Sequence, residues 1–426
     1  MSSKSLVVAI AGRIAGSVEQ RESGQLVFRY DPAYRGAPLS ISMPVGNRTY
    51  HDKQIRPFLC GLLPDDFQVR RNTALEFGVS GNNPFALLSF VGLDCPGAVQ
   101  LCPPEAVDAL LSREESIAEL GDDEIAMRLR LGRTDADAAW VAPAEHWSLG
   151  GQQSKFALRL ANDAWCSCSG AAATTHIFKC GIGGLAYQAL NEYLCLKLAA
   201  SCGLPSVRVS YREFSGEPAI IVERYDRQVN ADGGVTRFHQ EDFCQALGVL
   251  PENKYPEYGG PAAADIVRVL QRTGQYAEDN LNRFTAMLFF NYLVGAPDAN
   301  AKNYSLLLAE NGEMRLAPLY DVASVLPYRR PRETQRIAMG IGGENRLGRV
   351  GRGAIERYAD SCGLSAEDCT QLMRELAQMI PARFAEVLDR EASIPGVSEL
   401  RDRWENPLAM LCTTTLGNLD CAEGSL

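Results

Sequence analysis

The stretch Gly295-Ala-Pro-Asp298-Ala-Asn-Ala-Lys302-Asn303-Tyr-Ser places an aspartate and an asparagine in a D-x-x-x-x-N spacing, behind a long apolar run and ahead of a short one. Phosphoryl transfer needs a carboxylate to orient or deprotonate the acceptor hydroxyl. It also needs an amide oxygen, fixed a few residues on, to hold magnesium. Asp298 and Asn303 meet that spacing, and Lys302 is placed to neutralise charge on the transferring phosphoryl group. Alone, Asp298 reads equally as a turn residue at a helix end.

Other residues supply the rest of a nucleotide site. Leu316-Ala-Pro-Leu-Tyr320-Asp321 ends on an aspartate that closes a strand, suited to bridging magnesium to the β- and γ-phosphates. Upstream, Lys179 ends the strand Thr175-His-Ile-Phe-Lys, and Glu192 sits mid-helix soon after, an arrangement for a phosphate-binding lysine steadied by a glutamate. Ser148-Leu-Gly-Gly-Gln-Gln-Ser154-Lys155 is a glycine turn ahead of a strand, able to turn backbone N–H groups toward phosphate. Val222-Glu223-Arg224 ends a further strand, where two lobes would join. Taken singly, Asp321 is a helix cap, Lys179 and Glu192 are surface charges, and Gly150-Gly151 is a hairpin turn. The order glycine turn, lysine, glutamate, hinge, D-x-x-x-x-N, aspartate is the one a kinase requires.

These residues need a scaffold, and the hydrophobic pattern outlines it. Residues 5–45 alternate apolar and polar positions as short strands, among them Ile41-Ser42-Met43, and Val99 closes that sheet. From about 103 to 145 the chain is charged and reads as one or two surface helices and a linker. Strand texture returns at Trp147, a helix is expected over roughly 184–202, and from about 240 the pattern is mainly helical. Helices are expected at 240–248, 262–274, 278–295, 353–361, 364–380 and 382–391. The division is 1–110, an N-terminal subdomain; 111–145, a charged helical linker; 146–228, the smaller kinase lobe; and 229–426, a helical lobe with the catalytic loop. The fold class is α+β: a two-lobed, protein-kinase-like fold with an additional small β-rich N-terminal subdomain.

Bulk properties narrow the partners. A chain of 426 residues with 46% hydrophobic and 22% charged content carries more than one ordinary core. No apolar run approaches a membrane span, and the first residues lack a signal-peptide layout, so a cytoplasmic location is expected and no membrane partner. Thirteen cysteines are scattered singly apart from Cys166-x-Cys168, and with four histidines this reads as reduced, buried thiols rather than zinc ligands. A formal net charge of −10 excludes nucleic-acid binding through the overall field. The basic run Arg329-Arg330-Pro-Arg332, with Arg336, Arg346, Arg349 and Arg352 beyond it, reads as a solvated loop.

The chain also resembles the HipA toxin kinases. The resemblance lies in Ser148-Leu-Gly-Gly-Gln-Gln-Ser-Lys155, Thr174-Thr-His-Ile-Phe-Lys179, Asn191-Glu192, Val222-Glu223-Arg224-Tyr-Asp-Arg, Asp298-x-x-Ala-Lys302-Asn303 and Pro318-Leu-Tyr-Asp321. In the N-terminal part it continues through Gly61-Leu-Leu-Pro-Asp65, Asn83-Pro-Phe-Ala and Val91-Gly-Leu-Asp-Cys-Pro-Gly. It implies ATP and Mg2+ as cofactors, Asp298 as proton acceptor, Asn303 and Asp321 as magnesium ligands, and Lys179 on the phosphates. Gly150, Gly151, Gln152, Gln153, Ser154 and Lys155 would form the phosphate loop, and the backbone of Val222, Glu223 and Arg224 would meet the adenine. Ser148 falls where the family carries a serine whose autophosphorylation ejects that loop, with Ser154 a rival site. The resemblance further implies an aminoacyl-tRNA synthetase as protein substrate, a HipB-like helix-turn-helix antitoxin as partner, and DNA contact only through the antitoxin. One departure is Asn300, where the family commonly has histidine; it still offers a donor for phosphate. A kinase-like co-repressor without catalysis and a small-molecule kinase are the competing readings.

Overall fold

The computed structural model describes residues 4–112, 115–134, 145, 147–328 and 335–421. Arg329, Arg330 and Arg332 of the basic run lie outside these residues. Of the rest of that run, Arg346 pairs with Glu344 and Arg352 with Glu356, both at the surface.

Two compact units form, each from discontinuous stretches. The first comprises Met1–Gly183, Arg212–Glu252 and Ser305–Arg315; the second comprises Gly184–Tyr211, Asn253–Tyr304 and Leu316–Leu426.

The first unit is built on two antiparallel sheets. One runs in the order Thr49–His51, Leu26–Tyr30, Arg13–Gln20, Lys4–Ile10, Val99–Cys102. The other runs Val209–Phe214, Glu217–Glu223, His176–Lys179, Lys155–Ala161, Ala164–Gly170, Glu115–Glu119. A continuous core joins their apolar faces, including Phe28, Phe58, Trp147, Phe156, Phe178 and Phe214. The second unit is helical. The long helix Ala366–Arg390 packs against Gln188–Ser201, Ala277–Leu293, Arg352–Cys362 and Val397–Asp420.

Several sequence expectations change. The stretch read as helices and linker contains the strand Glu115–Glu119, paired with Ala164–Gly170. All five of its residues are exposed, so the strand is held by backbone pairing at a sheet edge and leaves no hydrophobic alternation to read. The helix Asp122–Thr134 there buries Ile125, Ala126 and Leu129 rather than lying free on the surface. Ile41-Ser42-Met43 is not a strand; only a Ser40–Met43 bridge forms. Within 240–248, Gln240–Asp242 is a strand, and the helix begins at Phe243 because Asp242 and Gln245 form a reciprocal capping box. The helices expected at 364–380 and 382–391 are one, continuous through Pro381, because packing on several sides outweighs the hydrogen bond that proline removes. The helices Asp52–Gly61, Phe67–Glu76 and Val397–Asp420 were not anticipated; the last also contains a proline, Pro407.

Candidate active site

In the first unit, the glycine turn is gripped by residues of the N-terminal stretch. Trp147 forms a parallel bridge with Asp94, and the Ser148 N–H donates to the Asp94 carbonyl at 3.0 Å. The Ser148 hydroxyl donates to the Leu62 carbonyl at 2.6 Å, and the residue is 2% exposed. Beyond it, Gly151 bridges to Pro64, and its carbonyl accepts the Asp65 N–H at 2.9 Å. Gly151 has φ of 96°, a backbone shape that favours glycine. Lys155 donates from Nζ to the Gly150 carbonyl at 2.8 Å, which ties the turn to the strand that follows. Of the other loop residues, Gln152 is exposed, whereas Gln153 and Ser154 are half-buried.

Lys155 and Lys179 face each other in register across the strands Lys155–Ala161 and His176–Lys179, and both are buried. Directly opposed side chains share one face of a sheet, and like charges there repel.

Val222 and Glu223 pair with Ile177 and His176, and the Arg224 N–H donates to the Thr175 carbonyl at 2.9 Å. The Arg224 guanidinium does not point toward a ligand. It is buried against Asp94, Asp226, the Thr174 hydroxyl and the Cys95 carbonyl. Arg227 joins the same cluster through Asp94 at 2.8 Å. Burial alone would raise the Asp94 carboxyl pKa, but the guanidinium groups of Arg227, Arg224 and Arg237 hold it well below the usual carboxylate range. Only the backbone of Arg224 remains available for the role read from the sequence.

In the second unit, the helix Ala277–Leu293 ends in a Schellman motif. Gly295 takes φ of 68°, its N–H donates to the Tyr292 carbonyl, and the Ala296 N–H reaches the Asn291 carbonyl at 2.8 Å. This sharp exit sets the position of Asp298. The loop then folds on itself: the Asp298 carbonyl accepts from the Asn300 N–H at 2.7 Å and from Asn303 Nδ2 at 2.8 Å. Asn300 is fully buried. Its Nδ2 donates to the Asp298 carbonyl and to Asp298 Oδ1 at 3.1 Å, and its Oδ1 accepts the Lys302 N–H at 2.9 Å. Asn300, read above as a donor for phosphate, is therefore committed within the loop, where it orients Asp298. Lys302 is buried, and its carbonyl accepts the Tyr320 hydroxyl at 2.7 Å, which holds the segment before Asp321 against the loop.

Asp321 does not close a strand or cap a helix. It lies beyond the strand Met314–Leu316 with φ of 57°, a left-handed conformation of the kind that collects at functional sites. Its charge helps raise the Asp298 carboxyl pKa. The larger cause is dehydration by the atoms packed round that carboxyl, although solvent still reaches the residue. The Tyr255 hydroxyl, the Lys254 ammonium and the Asn300 amide act in the opposite direction. Glu192 is buried on the helix Gln188–Ser201. Its neighbour Asn191 exchanges two hydrogen bonds with the Ser324 backbone at 2.8 Å, fastening this helix to the segment after Asp321.

Asn303 and Asp321 offer an amide oxygen and a carboxylate, the hard oxygen donors that magnesium takes, and Asn303 is held in the loop through Nδ2 to the Asp298 carbonyl. Among the described residues no cluster of three His, Cys, Asp or Glu is placed to hold a metal. Magnesium commonly takes only one or two protein oxygens beside phosphate and water. Asp65, Asn191 and Tyr320 stand in the motifs quoted above but carry no role there, and Lys254 and Tyr255 are not singled out, because single polar residues carry no periodicity. Tyr255 leaves a trace as a tyrosine held extended by the following Pro256.

Comparison with known proteins gives the family. Residues 6–102 match the family model described as HipA N-terminal domain, and residues 147–384 match HipA-like C-terminal domain. The chain is 35% identical to the protein named "Putative kinase Y4mE" of Sinorhizobium fredii, over 89% of this chain and 90% of that one. It is 30% identical to the serine/threonine-protein kinase toxin HipA of Shewanella oneidensis, over 83% of this chain and 81% of that one. The solved complex of Shewanella oneidensis HipA, HipB and operator DNA contains a chain that matches with a TM-score of 0.84 at 25% identity, covering 97% of this chain and 98% of that one. The two-lobed α+β reading and the family resemblance hold, and this chain belongs to the HipA family of kinase-fold proteins.

Proposed function

We propose that the chain is an ATP- and magnesium-dependent serine/threonine protein kinase of the HipA toxin type. The observation that carries this reading is the closed loop 298–303, in which Asn300 and Asn303 fix Asp298 while Tyr320 holds the Asp321 segment alongside. A scaffold without chemistry has no need to bring two carboxylates together with one in a left-handed backbone.

In this reading Lys179 and Lys155 bind the ATP phosphates beside the turn Gly150–Ser154, and the backbone at Val222–Arg224 meets the adenine. Asn303 and Asp321 hold magnesium, which neutralises phosphate charge when bound. Asp298 takes the proton of the acceptor hydroxyl as its oxygen bonds to the γ-phosphorus and the bond to the β-phosphate oxygen breaks, releasing ADP. Lys302 offsets charge in the transition state.

The acceptor we assign is a protein serine or threonine, with an aminoacyl-tRNA synthetase as the substrate implied by the family resemblance. Its modification would arrest translation and growth. The partner is a HipB-like helix-turn-helix antitoxin, in line with the HipB found with the Shewanella neighbour. DNA is reached through the antitoxin, consistent with a formal net charge of −10. No helix among the described residues is long and apolar enough to cross a membrane, and we place the enzyme in the cytoplasm. Self-inactivation proceeds at Ser148: its hydroxyl occupies a closed pocket against Leu62, and a phosphate of nearly two charges is too large to return there.

The test is incubation of the full chain with labelled ATP and magnesium in a bacterial lysate. Wild type is expected to label a discrete protein. Asp298→Asn and Asp321→Asn, with unchanged melting curves, are expected to lose about a thousandfold or more in rate. Full transfer by a folded Asp298→Asn variant would remove the assignment.

A further inference from the structure

The loop preceding the helix Ala263–Leu270 carries a side chain that reaches the reacting carboxylate. The Tyr255 hydroxyl donates to Asp298 Oδ1 at 2.7 Å, the same oxygen that accepts Asn300 Nδ2 at 3.1 Å. One carboxylate oxygen is thereby held from two sides, and Oδ2 is left to face an acceptor.

Tyr255 is itself fixed in place. Pro256 keeps its backbone extended, at φ −95° and ψ 132°. Its carbonyl accepts the N–H groups of Tyr258 and Gly260, each at 3.0 Å. Gly260 has room only for hydrogen, since a Cβ would stand 2.0 Å from the Asn253 carbonyl oxygen. The Tyr255 ring meets Tyr258 edge-on at 6.3 Å, and the Lys254 ammonium lies 5.2 Å from the ring centre. Lys254 is buried and its charge acts on Asp298 as well. A tight turn, an aromatic neighbour and a cation together hold one hydroxyl on one oxygen. Such rigidity round a reacting group is the mark of preorganisation.

We propose that Tyr255 is a positioning residue for phosphoryl transfer: it locks the Asp298 carboxylate so that Oδ2 meets the acceptor hydroxyl. The role rests on the kinase reading above. It implies that Tyr255 affects the chemical step rather than nucleotide binding, because its hydroxyl is spent on the Asp298 carboxylate.

The experiment measures transfer of labelled phosphate from ATP to lysate protein and to the chain itself, across ATP concentrations, for wild type, Tyr255→Phe and Tyr258→Phe. Phenylalanine at 255 keeps the ring against Lys254 and removes only the hydroxyl. The expected result is a rate at saturating ATP lower by about tenfold to a hundredfold for Tyr255→Phe, the scale of a misaligned reacting group. The KM for ATP and the melting temperature should stay at wild-type values, and Tyr258→Phe should match wild type in all three. A Tyr255→Phe enzyme as fast as wild type overturns the proposal. So does a loss that appears in KM and in the melt together, which marks a structural role. A wild type that transfers no phosphate to any protein overturns the kinase reading and this role with it.

Discussion

Glu241 offers a stability measurement whose sign and size follow from its surroundings. It lies on the strand Gln240–Asp242 with no exposed surface, and its Oε1 accepts the Ile41 N–H at 2.8 Å. The Ser40 hydroxyl is nearby, yet Oε2 has no hydrogen-bond partner in the structure. Burial pushes the carboxyl up from 4.5 to about 8, with the neighbouring Asp242 charge adding to the rise. A carboxyl raised in the folded state holds a proton that the unfolded chain has lost, so between pH 4.5 and 8 stability falls as pH rises. At pH 7 the gap of about 2.5 units corresponds to about 3 kcal/mol. Glu241→Gln keeps an oxygen for Ile41 and replaces a group that ionises with one that does not. Between pH 5 and pH 7 the variant should gain about 2–3 kcal/mol on wild type. Denaturant titrations of both proteins at half-unit steps from pH 5 to 8 measure this. Parallel stability profiles, or a variant that weakens as pH rises, would refute the reasoning.

Three further outcomes are expected. Asp94→Ala should cost about 3–5 kcal/mol in a denaturant titration, because it leaves the buried guanidinium groups of Arg224 and Arg227 sharing the Asp226 carboxylate. Lys179→Ala should weaken ATP binding in calorimetry. After prolonged exposure to magnesium-ATP, mass spectrometry should find phosphate on the peptide carrying Ser148; an unmodified loop with phosphate only elsewhere would end that assignment.

Much of the scaffold was legible because its elements are apolar runs. The strand Lys155–Ala161 is buried over its first five residues, and the helix Ala277–Leu293 is buried from Met287 to its end. What escaped notice lacked that signal. Glu115–Glu119 is exposed along its whole length, and the helices that contain Pro381 and Pro407 survive because their neighbours hold them. In both cases the deciding contacts come from residues distant in sequence.

The site divides along the same line. Asp298, Asn303 and Asp321 could be picked out because phosphoryl transfer fixes their types and order. The residues that aim them could not, since an amide or hydroxyl used for positioning can come from any part of the chain that folding brings near. Asn300 shows the difference. By sequence it is a polar residue in a phosphate-handling loop, and its Nδ2 is a ready donor. In the folded loop that nitrogen serves two oxygens of Asp298, and its Oδ1 holds the Lys302 N–H. A histidine at this position could offer at most two ring nitrogens in place of an amide nitrogen and an amide oxygen. It could not in one neutral form donate twice and also accept. Asn300 thus closes this loop together with Asn303, and Tyr255 adds a hold on Asp298 from outside it.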